Sequence, residues 1–338
     1  MRLQIDVIVW RGPIRESRHR LQAAVCDVAG RLEAGTAEPE TITTFRSAAK
    51  PFQLLPLVER GHADRWGWSE AELAVMAASH TGSPAHVELV TGILARLGLT
   101  AEDLACGYHE PLDPASLEHV RSHPEARSAL YNNCSGKHAG MLCLARSEGW
   151  PTEGYQRAEH PVQALMKRAV AEVCGVAAES MPTGIDGCSV PVFALPLAAM
   201  ARGYARLAAA TAEGDARARA LDRIRRAMCA HPWAVGGDGR FSTVLMQKTG
   251  GRLVAKGGAE GLECVGLPRR GLGIALKSED GAARGLAPAT VALLEQLDEL
   301  TAAERTALSA SRRPVVKNHA GLDVGAIEAV VQVPAAAR

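Results

Sequence analysis

Leu21-Gln-Ala-Ala-Val-Cys-Asp-Val28 is an almost unbroken apolar run within a segment, residues 4–34, that reads as strand. Val7-Ile-Val-Trp10 precedes it, and the two are joined by a polar turn around Gly12-Pro13 and Glu16-Ser17, the pattern of paired strands. Strand patterns return in the C-terminal third, in Arg252-Leu-Val-Ala-Lys256, Glu263-Cys-Val-Gly-Leu267 and Gly271-Leu-Gly-Ile-Ala-Leu276. A helix is expected near 287–310, followed by a last apolar run, Ala329-Val-Val-Gln-Val333.

Between these ends the chain reads as helix. Ser47 opens a helical pattern through Phe52, Leu54, Leu55, Leu57 and Val58 that Gly61 closes, with glycine at the expected stop. Ser69-x-x-Glu72 is a capping box ahead of Leu73, Val75 and Met76. Ser83-Pro84 starts a helix to Gly98, and further helical patterns cover about 135–148, 160–174, 196–210 and 214–230. Strands do not alternate with helices, which argues against a doubly wound parallel sheet. The expectation is α+β: a sandwich whose mainly antiparallel sheet comes from N- and C-terminal segments (about 1–45 and 235–338). A helical insertion (about 46–234) completes one catalytic domain.

The 338 residues are 47% hydrophobic and 22% charged, with a formal net charge of +1. That balance gives no reason to expect a nucleic acid or a membrane surface as partner. Four tyrosines and four phenylalanines leave few platforms for stacking bases. Val7–Trp10 is too short and too interrupted for a signal peptide, and no stretch nears the roughly 20 apolar residues of a membrane span. The expected location is the cytoplasm. Eight scattered cysteines there are usually buried small hydrophobes, so a pair with a special neighbourhood stands out.

Arg46-Ser-Ala-Ala-Lys-Pro-Phe-Gln53 carries the first chemistry. Ser47 and Lys50, three apart, share a face of a helix. A serine hydroxyl is a weak nucleophile that needs a base, and a lysine serves when burial or nearby positive charge keeps its amine partly neutral. Ser-x-x-Lys also arises by chance, with the serine an N-cap and the lysine solvated. The apolar Pro51-Phe-Gln-Leu-Leu-Pro-Leu57 that follows argues that Lys50 points inward. Serine–lysine hydrolases add a second hydroxyl and a Lys-x-Gly strand. Ser79, in Ala77-Ala-Ser-His-Thr-Gly82, is a candidate for the first. Lys248-Thr-Gly250 and Lys256-Gly-Gly258 compete for the second. Phe241–Gln247 reads as helix, making Lys248 a last-turn cation, whereas Lys256 ends a strand pattern; Lys256 is preferred.

Tyr131-Asn-Asn-Cys134-Ser-Gly-Lys137-His138-Ala-Gly140 is the densest polar motif, with Ser135 expected as an N-cap. Gly184-Ile-Asp186-Gly-Cys188-Ser189 brings a carboxylate and a second thiol. Two thiolates and a nitrogen suit zinc, and chemistry alone nominates His138 as that nitrogen because lysine rarely ligates metal. The spacing equally allows two buried cysteines beside unrelated loops, or Cys134 as a nucleophile with His138. His109-Glu110-Pro111 reads as a turn, with the border of a site as the alternative.

Together, the Arg46–Gln53 segment, Ala78-Ser79-His80, Asn133-Cys-Ser-Gly-Lys-His-Ala-Gly-Met-Leu142, Gly184-Ile-Asp-Gly-Cys-Ser-Val-Pro191 and Lys256-x-Gly-Ala-Glu-Gly261 resemble the rhizobial-type L-asparaginases, the class 3 or asparaginase II family. The resemblance implies a fold like serine β-lactamases and glutaminases, a homodimer, and L-asparagine as substrate. It implies two Ser–Lys pairs, Ser47 with Lys50 and Ser79 with a lysine matching Lys256, for which Lys248 and Lys277 compete. It implies zinc on Cys134, Lys137 and Cys188, with a water contacted by Asp186, and so replaces His138 as ligand and moves it toward substrate. Arg46 and Lys256 are then candidates for the substrate carboxylate, and Asp186 for its amino group. The rival readings are a penicillin-recognising hydrolase, a cysteine amidase and a non-catalytic amino-acid-binding protein.

Overall fold

A computed structural model of the protein describes residues 1–332; Val333, the end of the last apolar run, lies outside them. The described chain forms two compact units. The first comprises Met1–Ala48, Leu195–Ala209 and the chain from Leu245 onward; the second comprises Ala49–Ala194 and Ala210–Val244.

An eight-stranded sheet organises the first unit. Its order is Val315–Lys317, Asp323–Gln332, Gln4–Arg11, Ile14–Asp27, Leu272–Ser278, Leu262–Leu267 and Val254–Gly258, with Leu32–Gly35 also beside Ile14–Asp27. Every described pairing in it is antiparallel. The sheet is therefore assembled from both ends of the chain, and the α+β class stands. The polar turn is tighter than the sequence suggests. Only Gly12 and Pro13 separate the strands, Arg11 pairs with Ile14, and Gly12 takes φ +53° as the first residue of a two-residue turn. Glu16 and Ser17 lie inside the strand instead of in the turn.

Ile14–Asp27 changes character along its length. Its first residues are mostly exposed, whereas Leu21–Asp27 are buried continuously. Alternation disappears there because both faces are covered. Helix Leu197–Ala209 comes very close to the sheet: a Cβ on Gly273 would lie 2.0 Å from the Ala201 carbonyl oxygen, and one on Gly266 2.9 Å from that of Tyr204. Glycine at these strand positions is what lets the helix backbone seat on the strands. The helix expected over 287–310 is three pieces, Leu286–Gln296, Ala302–Ala307 and Ser309–Arg312. The break has a local cause: Asp298 turns to φ +55°, and Thr301 with Glu304 forms a fresh capping box.

The second unit is mainly helical. Helix Lys50–Glu59 is buried over Lys50–Val58, consistent with a core position among other helices. Helix Ser135–Glu148 is buried without interruption from Ser135 to Ala145. Gly136 explains how it fits, since a Cβ there would lie 2.1 Å from the Val75 carbonyl oxygen. That glycine brings the helix start against the end of helix Glu70–Met76 and onto the Ala78–Ser79 turn. A short antiparallel hairpin pairs Thr183 with Phe193 and Ile185 with Pro191. Among the described residues no helix is long and apolar enough to cross a membrane.

Candidate active site

Lys50 opens the buried helix of the second unit and is 1% exposed. Its ammonium nitrogen donates to the Ala78 carbonyl (2.5 Å), to Ser79 Oγ (2.8 Å) and to Cys134 Sγ (3.2 Å). Burial holds its amine below the usual lysine range, with Lys137 adding to the effect and Cys134 and Cys188 opposing it. A lysine base requires an amine whose pKa is lowered and that lies within reach of a hydroxyl, and Lys50 has that direction of shift and the Ser79 hydroxyl at 2.8 Å. Ser79 is held by its own backbone, whose N–H donates to the Val235 carbonyl (2.9 Å).

The Asn132–His138 segment is built around its backbone. Cys134, not Ser135, occupies the N-cap of the helix, and Ser135 is its first residue. The serine hydroxyl instead ties two loops together. Gly82 N–H donates to His80 Nδ1 (3.1 Å), so His80 Nε2 donates to Ser135 Oγ (2.9 Å), which donates to the Leu130 carbonyl (2.9 Å). Asn132 accepts from Cys134 N–H (2.9 Å) and donates to the Cys106 and Gly107 carbonyls. His109, read from sequence as part of a plain turn, accepts from Asn133 N–H (2.9 Å) and so supports the same loop.

Cys134 and Cys188 share a side-chain hydrogen bond, and Lys137 donates to Cys188 Sγ (3.0 Å). All three are at least 94% buried, with exposures of 6%, 3% and 3% for Cys134, Cys188 and Lys137. The hydrogen bond from Cys188, with Lys50 and Lys137 beside it, pulls Cys134 well below the ordinary thiol range. A helix N-terminus reinforces that direction. Cys188 moves the other way, because it gives its proton to that bond and is buried. Burial alone would lower Lys137, but the two sulfurs outweigh it and hold the amine protonated. Asp186 is half-buried at the hairpin tip, its Oδ1 accepting from Gly187 N–H (2.9 Å) and its charge acting on Lys137.

His138 is fully buried, with Nδ1 2.6 Å from the Tyr155 hydroxyl and, among the described residues, no hydrogen-bond partner at Nε2. Burial first, then Lys137 and Lys50, push its pKa well below the usual imidazole value. Tyr155 went unread in the sequence because its loop has no periodicity; its one signal was being one of only four tyrosines.

The donor set is suited to zinc. Two touching thiols, one inclined to ionise, stand beside a lysine amine; binding would displace the remaining protons. No group of three or more His, Cys, Asp or Glu side chains converges among the described residues, so a third protein donor would be the Lys137 nitrogen.

The remaining candidates, Arg46, Ser47 and Lys256, fall in the first unit. Ser47 is half-buried on the single-turn helix Arg46–Ala49 that leads into Lys50–Glu59. Arg46, immediately before it, has φ +44°, and Ser189, immediately after Cys188, has φ +71°. Such left-handed conformations in non-glycine residues cost energy and gather at functional sites. A Cβ on Gly258 would lie 3.3 Å from Arg46 Cβ, so that glycine lets the Val254–Gly258 strand meet the arginine. Of the three lysines weighed, Lys256 is 3% exposed on that strand, Lys277 is half-buried and Lys248 is exposed at the end of helix Phe241–Lys248. Within this unit the strand lysine fits an internal role best.

Comparison with known proteins adds three findings. The profile described as L-asparaginase II matches residues 7–329. No curated protein matches. Solved structures align with low identity. Mglu crystallised in the presence of 4.3 M NaCl is 17% identical, covering 82% of this chain and 61% of its own, with a TM-score of 0.46. A β-lactamase from Mycobacterium bovis is 15% identical over 82% of this chain and 94% of its own, with a TM-score of 0.41. A β-lactamase/D-alanine carboxypeptidase from Pseudomonas syringae is 12% identical over 86% and 92%, with a TM-score of 0.38. The chain thus spans about three-fifths of the length of Mglu.

Proposed function

The chain belongs to the L-asparaginase II family, and from that premise we propose that it hydrolyses L-asparagine to aspartate and ammonia through a serine acyl-enzyme. The observation that carries the chemistry is the Lys50 amine: buried, lowered in pKa, and 2.8 Å from the Ser79 hydroxyl, so that Lys50 serves both Ser79 and the proposed nucleophile. Ser47, three residues before it in the chain, is the nucleophile. Its oxygen attacks the side-chain amide carbon, and Lys50 takes its proton. The tetrahedral oxyanion collapses, the amide nitrogen leaves as ammonia after gaining a proton, and water then hydrolyses the ester. Ser79, bonded to Lys50, relays that proton, with Lys256 as the second lysine of the proposed pairs.

The other polar residues bind. Arg46 and Lys256 meet the α-carboxylate, Asp186 accepts from the α-ammonium, and His138 contacts the substrate from its buried position. Cys134, Lys137 and Cys188 would hold a zinc ion, which when bound supplies a fixed positive charge that orients oxygen donors. The active form is a homodimer.

Ammonia release from asparagine and from glutamine tests the proposal, with wild type beside Ser47→Ala. Asparagine turnover that falls at least about 10³-fold in the variant is expected, because a nucleophile is removed. Full turnover by Ser47→Ala would sink the mechanism. Absence of turnover by wild type would sink the activity.

A further inference from the structure

We infer that Tyr155 is a positioning residue: it fixes His138 as the tautomer with its proton on Nε2, making that nitrogen a hydrogen-bond donor. The inference follows from counting protons on one hydroxyl. Tyr155 is 1% exposed, and its oxygen has two neighbours, the Ala105 backbone N–H at 2.9 Å and His138 Nδ1 at 2.6 Å. The Ala105 amide can only donate. The tyrosine hydrogen therefore has one acceptor within reach, His138 Nδ1. A neutral imidazole that accepts at Nδ1 carries its hydrogen on Nε2.

The framework around this contact is buried and hydrogen-bonded. Gln163, 2% exposed, donates from Nε2 to the Tyr155 carbonyl (2.8 Å) and anchors the tyrosine loop to helix Pro161–Cys174. The two rings meet edge to face at 5.5 Å between centroids. His138 itself is fixed on the first turns of helix Ser135–Glu148.

The consequence lies at the other end of the ring. Nε2 is buried and has no partner among the described residues. A purely structural histidine at this depth would be expected to have both nitrogens satisfied. An Nε2–H held ready by a tyrosine suits an oxygen acceptor, the carbonyl or carboxylate oxygen of a small amino-acid amide. That assignment of the acceptor rests on the proposed asparaginase activity; the placement of the proton does not.

Nitrogen-15 NMR of histidine-labelled full-length protein reads the proton directly, with the His138 signals identified by their loss in His138→Gln. Wild type is expected to show Nε2 protonated and Nδ1 bare, and aspartate, the reaction product, should shift the Nε2–H resonance. In Tyr155→Phe the lock is gone, so the proton should spread over both nitrogens. The kcat/KM for asparagine should fall about tenfold, the size typical of losing a hydrogen-bonded orienting partner, with the melting temperature little changed. A proton on Nδ1 in wild type, or on both nitrogens, overturns the inference, as does a Tyr155→Phe protein with unchanged tautomer and kinetics. If wild type releases no ammonia, the activity fails by itself, and the NMR result still decides where the proton sits.

Discussion

Lys50 and Glu299 are both ionisable and both nearly inaccessible, at 1% residue exposure each, yet their surroundings differ in kind. Neither Glu299 carboxylate oxygen has a hydrogen-bond partner among the described residues. Arg252, Arg269 and Arg270 instead approach to 3.8, 3.8 and 3.7 Å, with 30%, 62% and 43% of their side chains exposed. Those arginines are engaged elsewhere, on the Leu297, Asp298 and Glu299 carbonyls at the end of helix Leu286–Gln296 and on Glu304. Cations there complement the helix dipole. Glu299 is neutralised at arm's length by groups that remain in water. Lys50 has no such outlet, because its partners Ala78, Ser79 and Cys134 are themselves buried. A charge balanced through solvent-reaching arginines serves stability. A charge confined among hydroxyl and thiol groups has its proton affinity tuned by burial, which serves chemistry.

Lys50→Met is the sharpest way to break this contrast and carries the largest expected effect. Methionine keeps the volume and removes the base, so kcat/KM for asparagine should fall about 10²–10⁴-fold, the usual contribution of a positioned base. Stability should hold or rise, because replacing a buried charge by an apolar side chain is often neutral or stabilising. A variant that loses activity only by unfolding, seen as a large drop in melting temperature, would make Lys50 structural and erase the distinction.

Glu299→Gln should do the reverse. The arginines keep their carbonyl and Glu304 bonds, so what is lost is attraction across 3.7–3.8 Å through partly solvated space. About 1–2 kcal/mol of unfolding free energy is expected to go, with asparagine turnover within about twofold of wild type. A denaturant midpoint that does not move would mean the three arginines contribute nothing through the carboxylate.

The same two clusters mark what the sequence could and could not convey. The Cys134–Lys137 and Asp186–Cys188 motifs are legible because their polar residues lie within a few positions of one another. Sheet strands at both chain ends are legible as local apolar runs. Glu299 is not, because its partners come from positions 252, 269 and 270, and only folding brings them to it. Tyr155 reaches His138 across 17 residues and Ala105 across 50, distances no local pattern encodes. Thr301-x-x-Glu304 is the same capping box as Ser69-x-x-Glu72, and it marks a break inside 287–310 that apolar periodicity alone spans. Ser135 was read as an N-cap by residue type, whereas its hydroxyl is drawn off to Leu130 and His80 and Cys134 takes the cap.

Glu148 falls between the two extremes and gives the smallest effect. Its carboxylate, 14% exposed, accepts two bonds from the Arg60 guanidinium (2.5 and 2.8 Å) and faces His62 Nε2 at 2.5 Å. The arginine first, then the histidine, hold its pKa down to about 2 from the usual 4.5. A carboxylate depressed in the folded state stabilises fully above its unfolded value and loses that contribution as protons bind the folded form. The stabilisation should therefore be intact above pH 4.5 and fade between pH 4.5 and about 2. Because Arg60 is 47% exposed and screened by water, about 1 kcal/mol is expected. Urea midpoints at pH 6 and pH 3 measure it: Glu148→Gln should be less stable than wild type at pH 6 and closer to it at pH 3. An equal gap at both values would show that the carboxylate acts through its shape and hydrogen bonds alone, and would move Glu148 to the side of the uncharged scaffold.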